Sequence, residues 1–288
     1  MRIPFRLVDV FCQRPLEGNQ LCVVTDPPPQ MDGPGMLALA REIGFSETTF
    51  ITSWGDDRYQ VRIFTPGAEL PFAGHPTLGT AFVMVAERRV RTPLTQVVAA
   101  GEIPVEVDLD RGYARMHQLP PLFDEPLTDP VSVAAAAGLA VDDLHPDLPP
   151  QVVSTGIRHL MIPLRDLEAL RRAERQTAAA RSVASSHALE GFYLFALSDG
   201  SVTARMFDAD LGVGEDPATG SAAGPLGAYL AAHGAAGMPG AITIRQGEQI
   251  GRPSLLEVEV HGQHGSWSVE VAGGVAIVGR GEFDLPDA

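Results

Sequence analysis

Short apolar runs bounded by glycine, proline and polar residues recur along the first part of the chain. Phe5 to Val10, Leu21 to Val24, Thr48 to Thr52, Tyr59 to Phe64, Val97 to Ala100, Ile103 to Leu109 and Ala114 to Gln118 read as strands. Gly18-Asn19 supplies a turn between the first two, which makes an opening hairpin. Helical spacing is rarer. Met36 to Ile43 carries it and stops at Gly44, a common helix-terminating residue. Leu78, Ala81, Phe82 and Val85 carry it after His75, and the small Gly79 and Ala81 let that helix sit close to surrounding strands.

Prolines cluster from Pro120 to Pro130 and mark a boundary. Residues 1–119 are expected to form one lobe and 120–277 a second, with the segment 278–288 a candidate to complete the first. The second part predicts a helical Ser132 to Leu139, strands at Gln151 to Ser154 and His159 to Pro163, and one helical stretch from Leu167 to about Ser182. Strands at Phe192 to Leu197 and Val202 to Phe207 follow, then a helix from Ala222 to Ala232. Ile242 to Gln246, Leu255 to Val260, Trp267 to Val271 and Val275 to Arg280 read as four further strands. Many short strands with one Gly/Ala-rich helix per lobe predict an α+β fold. Each lobe is a strongly curved sheet wrapped round its helix rather than a βαβ series.

The two lobes share a phrase. Arg62-Ile63-Phe64 leads to Glu69-Leu70-Pro71-Phe72-Ala73-Gly74-His75, and Arg205-Met206-Phe207 leads to Glu215-Asp216-Pro217-Ala218-Thr219-Gly220-Ser221. Each is an extended segment, a Glu-x-Pro-x-x-Gly turn and a helix start, which implies two related lobes facing one site. A helix start offers unpaired N–H groups and the positive end of the helix dipole, and glycine there admits close approach to the backbone. Two such ends converging would hold a carboxylate without a cationic side chain.

Composition narrows the chemistry. All 21 basic residues are arginine, so lysine Schiff bases and a phosphate-loop lysine are excluded. No G-x-G-x-x-G follows a strand and opens a helix, which leaves a dinucleotide fold unsupported and a cofactor-free mechanism the economical expectation. A formal net charge of −15 argues against nucleic-acid and anionic-membrane partners. Cys12 and Cys22 form no metal-spaced cluster and read as buried residues of a reducing compartment. The N-terminus has no apolar leader run, and the longest apolar run, Val131 to Val141, is too short to span a bilayer, so a cytoplasmic location is expected.

Four residues could move or stabilise a proton. Glu47, set among Phe45, Phe50 and Ile51, would be partly desolvated, with a raised pKa suited to proton exchange near neutrality. Asp216 could accept from the helix-start N–H groups, either as a site residue or as a cap. His75 could shuttle a proton or donate to an oxyanion, and Ser221 offers a hydroxyl. His261 and His264 flank glycines and read as a hairpin turn rather than a metal pair. Gly220-Ser221-Ala222-Ala223-Gly224 lacks the spacing of a nucleophile elbow.

Ser46-Glu47-Thr48, Glu69 through Ala81, Glu215 through Ala222, Val8-Asp9-Val10-Phe11 with Gly18-Asn19, and Gln246-Gly247 with Gly251-Arg252-Pro253-Ser254 together resemble the PhzF-like isomerase family of phenazine biosynthesis. The resemblance covers essentially the whole chain. It implies the diaminopimelate-epimerase-like fold, with two pseudo-symmetric lobes, a cleft between them and a homodimer. It implies Glu47 as the proton carrier with His75, Asp216 and Ser221 completing the site. Backbone N–H groups at Gly74-His75 and Gly220-Ser221 would bind the substrate carboxylate, with Asn19 lining the cleft and Thr219 also on the substrate-binding side. Racemising relatives of that fold use two cysteines at the positions held here by His75 and Ser221. A single mobile carrier fits removal and return of a proton on one face, an allylic isomerisation. The alternatives are an epimerase in which Asp216 or His75 opposes Glu47, and a small-carboxylate-binding protein without turnover.

Overall fold

A computed structural model describes residues 1–198, 201–209, 212–235, 237–263 and 265–285. Two pseudo-symmetric lobes each wrap strands round one buried helix. In the first, β1 (Arg2–Val10), β2 (Asn19–Val24), β3 (Glu47–Trp54) and β4 (Arg58–Phe64) lie side by side, antiparallel except for the parallel β2–β3 pair. β5 (Glu69–Leu70) adds a short edge to β4. β4 then pairs in parallel with β6 (Leu94–Val98), which continues through β7 (Gly101–Asp108) to β8 (Tyr113–His117). The long β17 (Ser266–Asp284) pairs with β8 at one end and with β1 at the other, and so closes the barrel. Its axis is filled by α2 (Gly74–Ala86), whose residues 74–84 are all buried.

The second lobe repeats this order. β9 (Leu122–Phe123), β10 (Gln151–Ser154), β11 (Arg158–Leu164), β12 (Gly191–Ser198) and β13 (Ser201–Asp208) are neighbours, with β11–β12 parallel. β14 (Glu215–Asp216) edges β13, and β15 (Gly240–Gln246) and β16 (Ser254–Gln263) lead to the first half of β17. α6 (Gly220–Ala232) fills this lobe, buried from Gly220 through Ala231. One apolar cluster runs through both interiors, from Val8 to Val275. Outside the barrels, α1 (Gly33–Ile43) covers Phe50 and Phe64 of the first lobe. α3 (Pro130–Ala136), α4 (Leu167–Arg172) and α5 (Thr177–His187) cover Leu160, Phe192 and Leu194 of the second.

Two sequence expectations change. The helix expected over Leu167 to about Ser182 is two helices, because the Arg205 guanidinium reaches the carbonyls of Leu170 and Ala173 at 3.0 and 2.7 Å and ends α4 there. A cation bonded to the terminal carbonyls is the expected partner of a helix C-terminus. The strands expected at Trp267 to Val271 and Val275 to Arg280 are one strand, β17. Gly273 and Gly274 between them are not a break. They pair with Ala114 and Tyr113, and a Cβ would lie 2.6 Å from the Phe11 ring at Gly273 and 2.1 Å from the Cys12 carbonyl at Gly274. Residues 286–288 of the segment considered for the first lobe lie outside the described residues, while residues through Asp284 pair with β1.

Candidate active site

The shared phrase folds the same way twice. On each side an Arg and a Glu lock the strand to its turn by paired hydrogen bonds: Arg62 to Glu69 at 2.7 and 2.6 Å, Arg205 to Glu215 at 2.9 and 2.7 Å. Each guanidinium also lies over an aromatic ring of its own strand, Phe64 or Phe207. The two helix starts then meet. A Cβ on Gly74 would lie 2.4 Å from both the Gly220 carbonyl carbon and the Ser221 nitrogen, so glycine here serves the contact of one helix with the other. This refines the sequence reading, which assigned the close approach to a ligand.

Neither central helix is capped by a side chain. The outer helices α1, α3 and α4 take Asp32, Asp129 and Asp166 as caps. Uncapped starts keep backbone N–H groups and the positive dipole ends available where the lobes face each other. Asp216 does not cap α6. Its carboxylate accepts from Ser46 Oγ at 2.8 Å, Asn19 Nδ2 at 2.8 Å and Thr219 Oγ1 at 2.5 Å.

Around these starts the structure gathers the predicted residues from both lobes. Glu47 begins β3, with Oε2 buried, unpaired and 3.5 Å from His75 Nε2, itself buried and unpaired. His75 Nδ1 lies 3.1 Å from Asn19 Nδ2, which also donates to the Ala218 carbonyl. Ser221 Oγ is 3.1 Å from His159 Nε2. Thr219 spends its hydroxyl on Asp216 and accepts from Gln246, so it holds the aspartate while lining the same cleft. A small cavity of about 30 Å³ is lined by Glu47, Ala73, Ile157, His159, Asp216 and Ser221, among others. Its described lining contains no arginine. A larger groove of about 480 Å³ beside Trp267 and His233 gathers no carboxylates, so chemistry rather than size locates the site.

Burial sets the charges. Glu47 is pushed well above the usual carboxylate range, first by desolvation and then by the nearby Asp216 charge. Asp216 is also raised by burial, but Thr219, Ser46 and Asn19 pull it back by hydrogen bonding to the charged form. Of the two carboxylates, Glu47 is therefore the one to take a proton more readily, while three donors favour the charged form of Asp216. Burial pushes His75 down to about 3 despite a Gln20 backbone hydrogen bond, so the ring is neutral at physiological pH. The source of the Glu47 desolvation differs from the sequence reading. Phe45 and Phe50 pack with α1, because strand alternation turns Phe50 to the face opposite Glu47.

Sequence spacing does not single out Ser46, Gln118, His159 and Gln246 as site residues. His159 gave a signal, a histidine within the apolar run Leu160-Met161-Ile162. Gln118, which donates to the Gly220 carbonyl at 2.8 Å, gave none. Cys12 and Cys22 are free and buried, and burial raises their thiols to about 11 and about 12. His264 lies outside the described residues. His261 approaches Glu259, but Glu259 and Glu270 are both held by Arg115 at 3.0 and 2.6 Å. No helix among the described residues is long and apolar enough to cross a membrane.

Comparison with known proteins identifies the family. The chain matches the phenazine biosynthesis-like protein family over residues 8–281. It is 36% identical over 286 residues to trans-2,3-dihydro-3-hydroxyanthranilate isomerase of Pseudomonas chlororaphis, covering 97% of this chain and 98% of that one. Among solved structures, a predicted epimerase from Pseudomonas aeruginosa superposes with a TM-score of 0.87 at 35% identity, over 99% of this chain and 100% of the other. A probable proline racemase from Agrobacterium radiobacter shares the fold at 12% identity, with a TM-score of 0.69 over 99% of this chain and 93% of that one. A full-length family match, together with a relative this similar over almost its whole length, makes the chain a member of the phenazine biosynthesis-like, or PhzF, family of isomerases.

Proposed function

We propose that this chain is a cofactor-independent isomerase that moves one proton on a small, carboxylate-bearing, amino-substituted substrate. Glu47 removes the proton and returns it, His75 and Asp216 orient and polarise the substrate, and the two helix starts with Ser221 hold the carboxylate. The name of the Pseudomonas chlororaphis relative points to trans-2,3-dihydro-3-hydroxyanthranilate as the first substrate to try.

The observation that carries this reading is the inequality of the two lobes at one matched position. Glu47 stands opposite Leu21 in the β2–β3 pair, and the residue placed the same way in β11–β12, opposite His159, is Gly191. A second acid or base is thus missing from the position that mirrors Glu47. Inversion of a stereocentre needs a proton donor and an acceptor on opposite faces, whereas a single carrier fits removal and return on one face. Asp216, held by three donors, is a poor source of a proton. This favours isomerisation over racemisation.

The test is proton NMR of trans-2,3-dihydro-3-hydroxyanthranilate in deuterated water with the wild type and with Glu47→Gln. A moved double bond and deuterium uptake with the wild type alone are the expected result. Equal turnover by Glu47→Gln would overturn the assignment of Glu47. Binding of the acid by both proteins without proton exchange in either would favour a carboxylate-binding role.

A further inference from the structure

We propose that His159 is a positioning residue: its Nε2–H donates to Ser221 Oγ and thereby aims the Ser221 hydroxyl hydrogen into the cleft, toward the substrate's anionic oxygen. This rests on the substrate reading above only for its kinetic arm.

The fold does not ask for histidine at this place. The matched position in the first lobe is Leu21, fully buried in the same apolar cluster that fills both barrels. His159 is 1% exposed, sits on β11 and lines the cavity with Glu47, Asp216 and Ser221. One nitrogen meets Ser221 Oγ at 3.1 Å, and the other, Nδ1, is buried without a partner. A polar ring with one unmet nitrogen costs stability where leucine would not. The local packing nonetheless makes room for it, because a Cβ at Gly191 would lie 3.2 Å from His159 Nδ1 and 2.4 Å from Met206 Cε. The glycine that leaves the second lobe without a counterpart to Glu47 is therefore the glycine that seats this imidazole.

The tautomer decides what Ser221 can do. Burial pushes the ring down to about 3, so it carries a single N–H at neutral pH. With the hydrogen on Nδ1, a buried donor would be orphaned and Ser221 would spend its own hydrogen on the ring. With the hydrogen on Nε2, the ring donates to Ser221, the unmet atom is an acceptor, and the serine hydrogen is free for the substrate. Orphaned buried donors are rarer than under-satisfied acceptors, which favours the second arrangement. The same tautomer rules out serine activation by this histidine, since Nε2 then has no lone pair to take the hydroxyl proton.

Nitrogen-15 NMR of imidazole-labelled protein at pH 7, assigned through His159→Gln, reads the tautomer without turnover. A protonated Nε2 and unprotonated Nδ1, with the Nε2 resonance moving in Ser221→Ala, are expected; a protonated Nδ1 or an imidazolium overturns the proposal. The kinetic arm compares His159→Leu, the first lobe's own solution, with His159→Gln, which keeps an amide donor. His159→Leu should raise KM for trans-2,3-dihydro-3-hydroxyanthranilate about ten-fold with kcat within about two-fold, and His159→Gln should recover most of the loss. An unchanged KM in a folded His159→Leu protein would overturn the positioning role. Absence of turnover by the wild type would count against the substrate reading alone, leaving the tautomer to decide the role of His159.

Discussion

The turn that opens α2 and the turn that opens α6 have the same scaffold and different chemistry. Both use an Arg–Glu clamp, an aromatic ring under the guanidinium and a glycine that touches its opposite number. Where the first lobe has Leu21, Glu47, Leu70 and His75, the strand registers and the repeat place His159, Gly191, Asp216 and Ser221 in the second. Elements that make the barrel are repeated, and groups that handle charge are divided between the copies. On the proposed reading, one lobe contributes the proton carrier, and the other contributes a hydrogen-bonded carboxylate and an oriented hydroxyl. A symmetric fold thus presents an asymmetric site, which suits a reaction on one face of a substrate.

The comparison breaks most visibly at Glu47. Glu47→Gln should fold as the wild type does yet lose about 10³-fold in kcat, the usual scale for a general acid–base group, whereas Glu190→Gln, at a partly buried cleft carboxylate of the other lobe, should stay within about ten-fold. Steady-state kinetics on matched preparations checks both. The clamps come next. Arg205 and Glu215 are 9% and 14% exposed while Arg62 and Glu69 are 34% and 42% exposed, and only Arg205 also holds the end of α4. Arg205→Met should cost about 3–5 kcal/mol of stability, as for a broken buried pair. Arg62→Met should cost under about 1 kcal/mol, read from denaturant unfolding.

Gly74→Ala is expected to destabilise by about 1–3 kcal/mol, because the new methyl meets the backbone of the opposite helix rather than a movable side chain. The last effect is in pH. His75 and His159 have folded pKa values near 3 against an ordinary value of 6.5, so the unfolded chain binds protons that the folded chain refuses. Their contribution to stability is full above pH 6.5 and is lost progressively as the pH falls from there toward 3. Glu47, raised by burial, works the other way, since its folded state takes the proton more readily. The melting temperature of Glu47→Gln should therefore fall more steeply than that of the wild type between pH 6.5 and 5.

Much of this was legible in the chain because it is written in local pattern. The repeated Glu-x-Pro-x-x-Gly phrase located both helix starts, and the short strands located the barrels. Glu47, His75, Asp216, Ser221 and Asn19 do gather around those starts. What stayed hidden depends on contacts between distant segments. Gly273 and Gly274 look like a strand break until the Phe11 ring and the Cys12 carbonyl are seen against them. The stretch after Leu167 reads as one helix because nothing nearby announces Arg205, more than thirty residues on. Gln118 and Ser46 act through partners over a hundred residues away, beyond any spacing rule.

We propose a single carboxylate, Glu47, as the carrier of the proton on one face of the substrate. The most direct measurement is the stereochemistry of the label when the wild type turns over trans-2,3-dihydro-3-hydroxyanthranilate in deuterated water. Deuterium is expected in a single configuration at the carbon that receives the proton, with none entering in Glu47→Gln. Deuterium in both configurations, or undiminished labelling by Glu47→Gln, would contradict it.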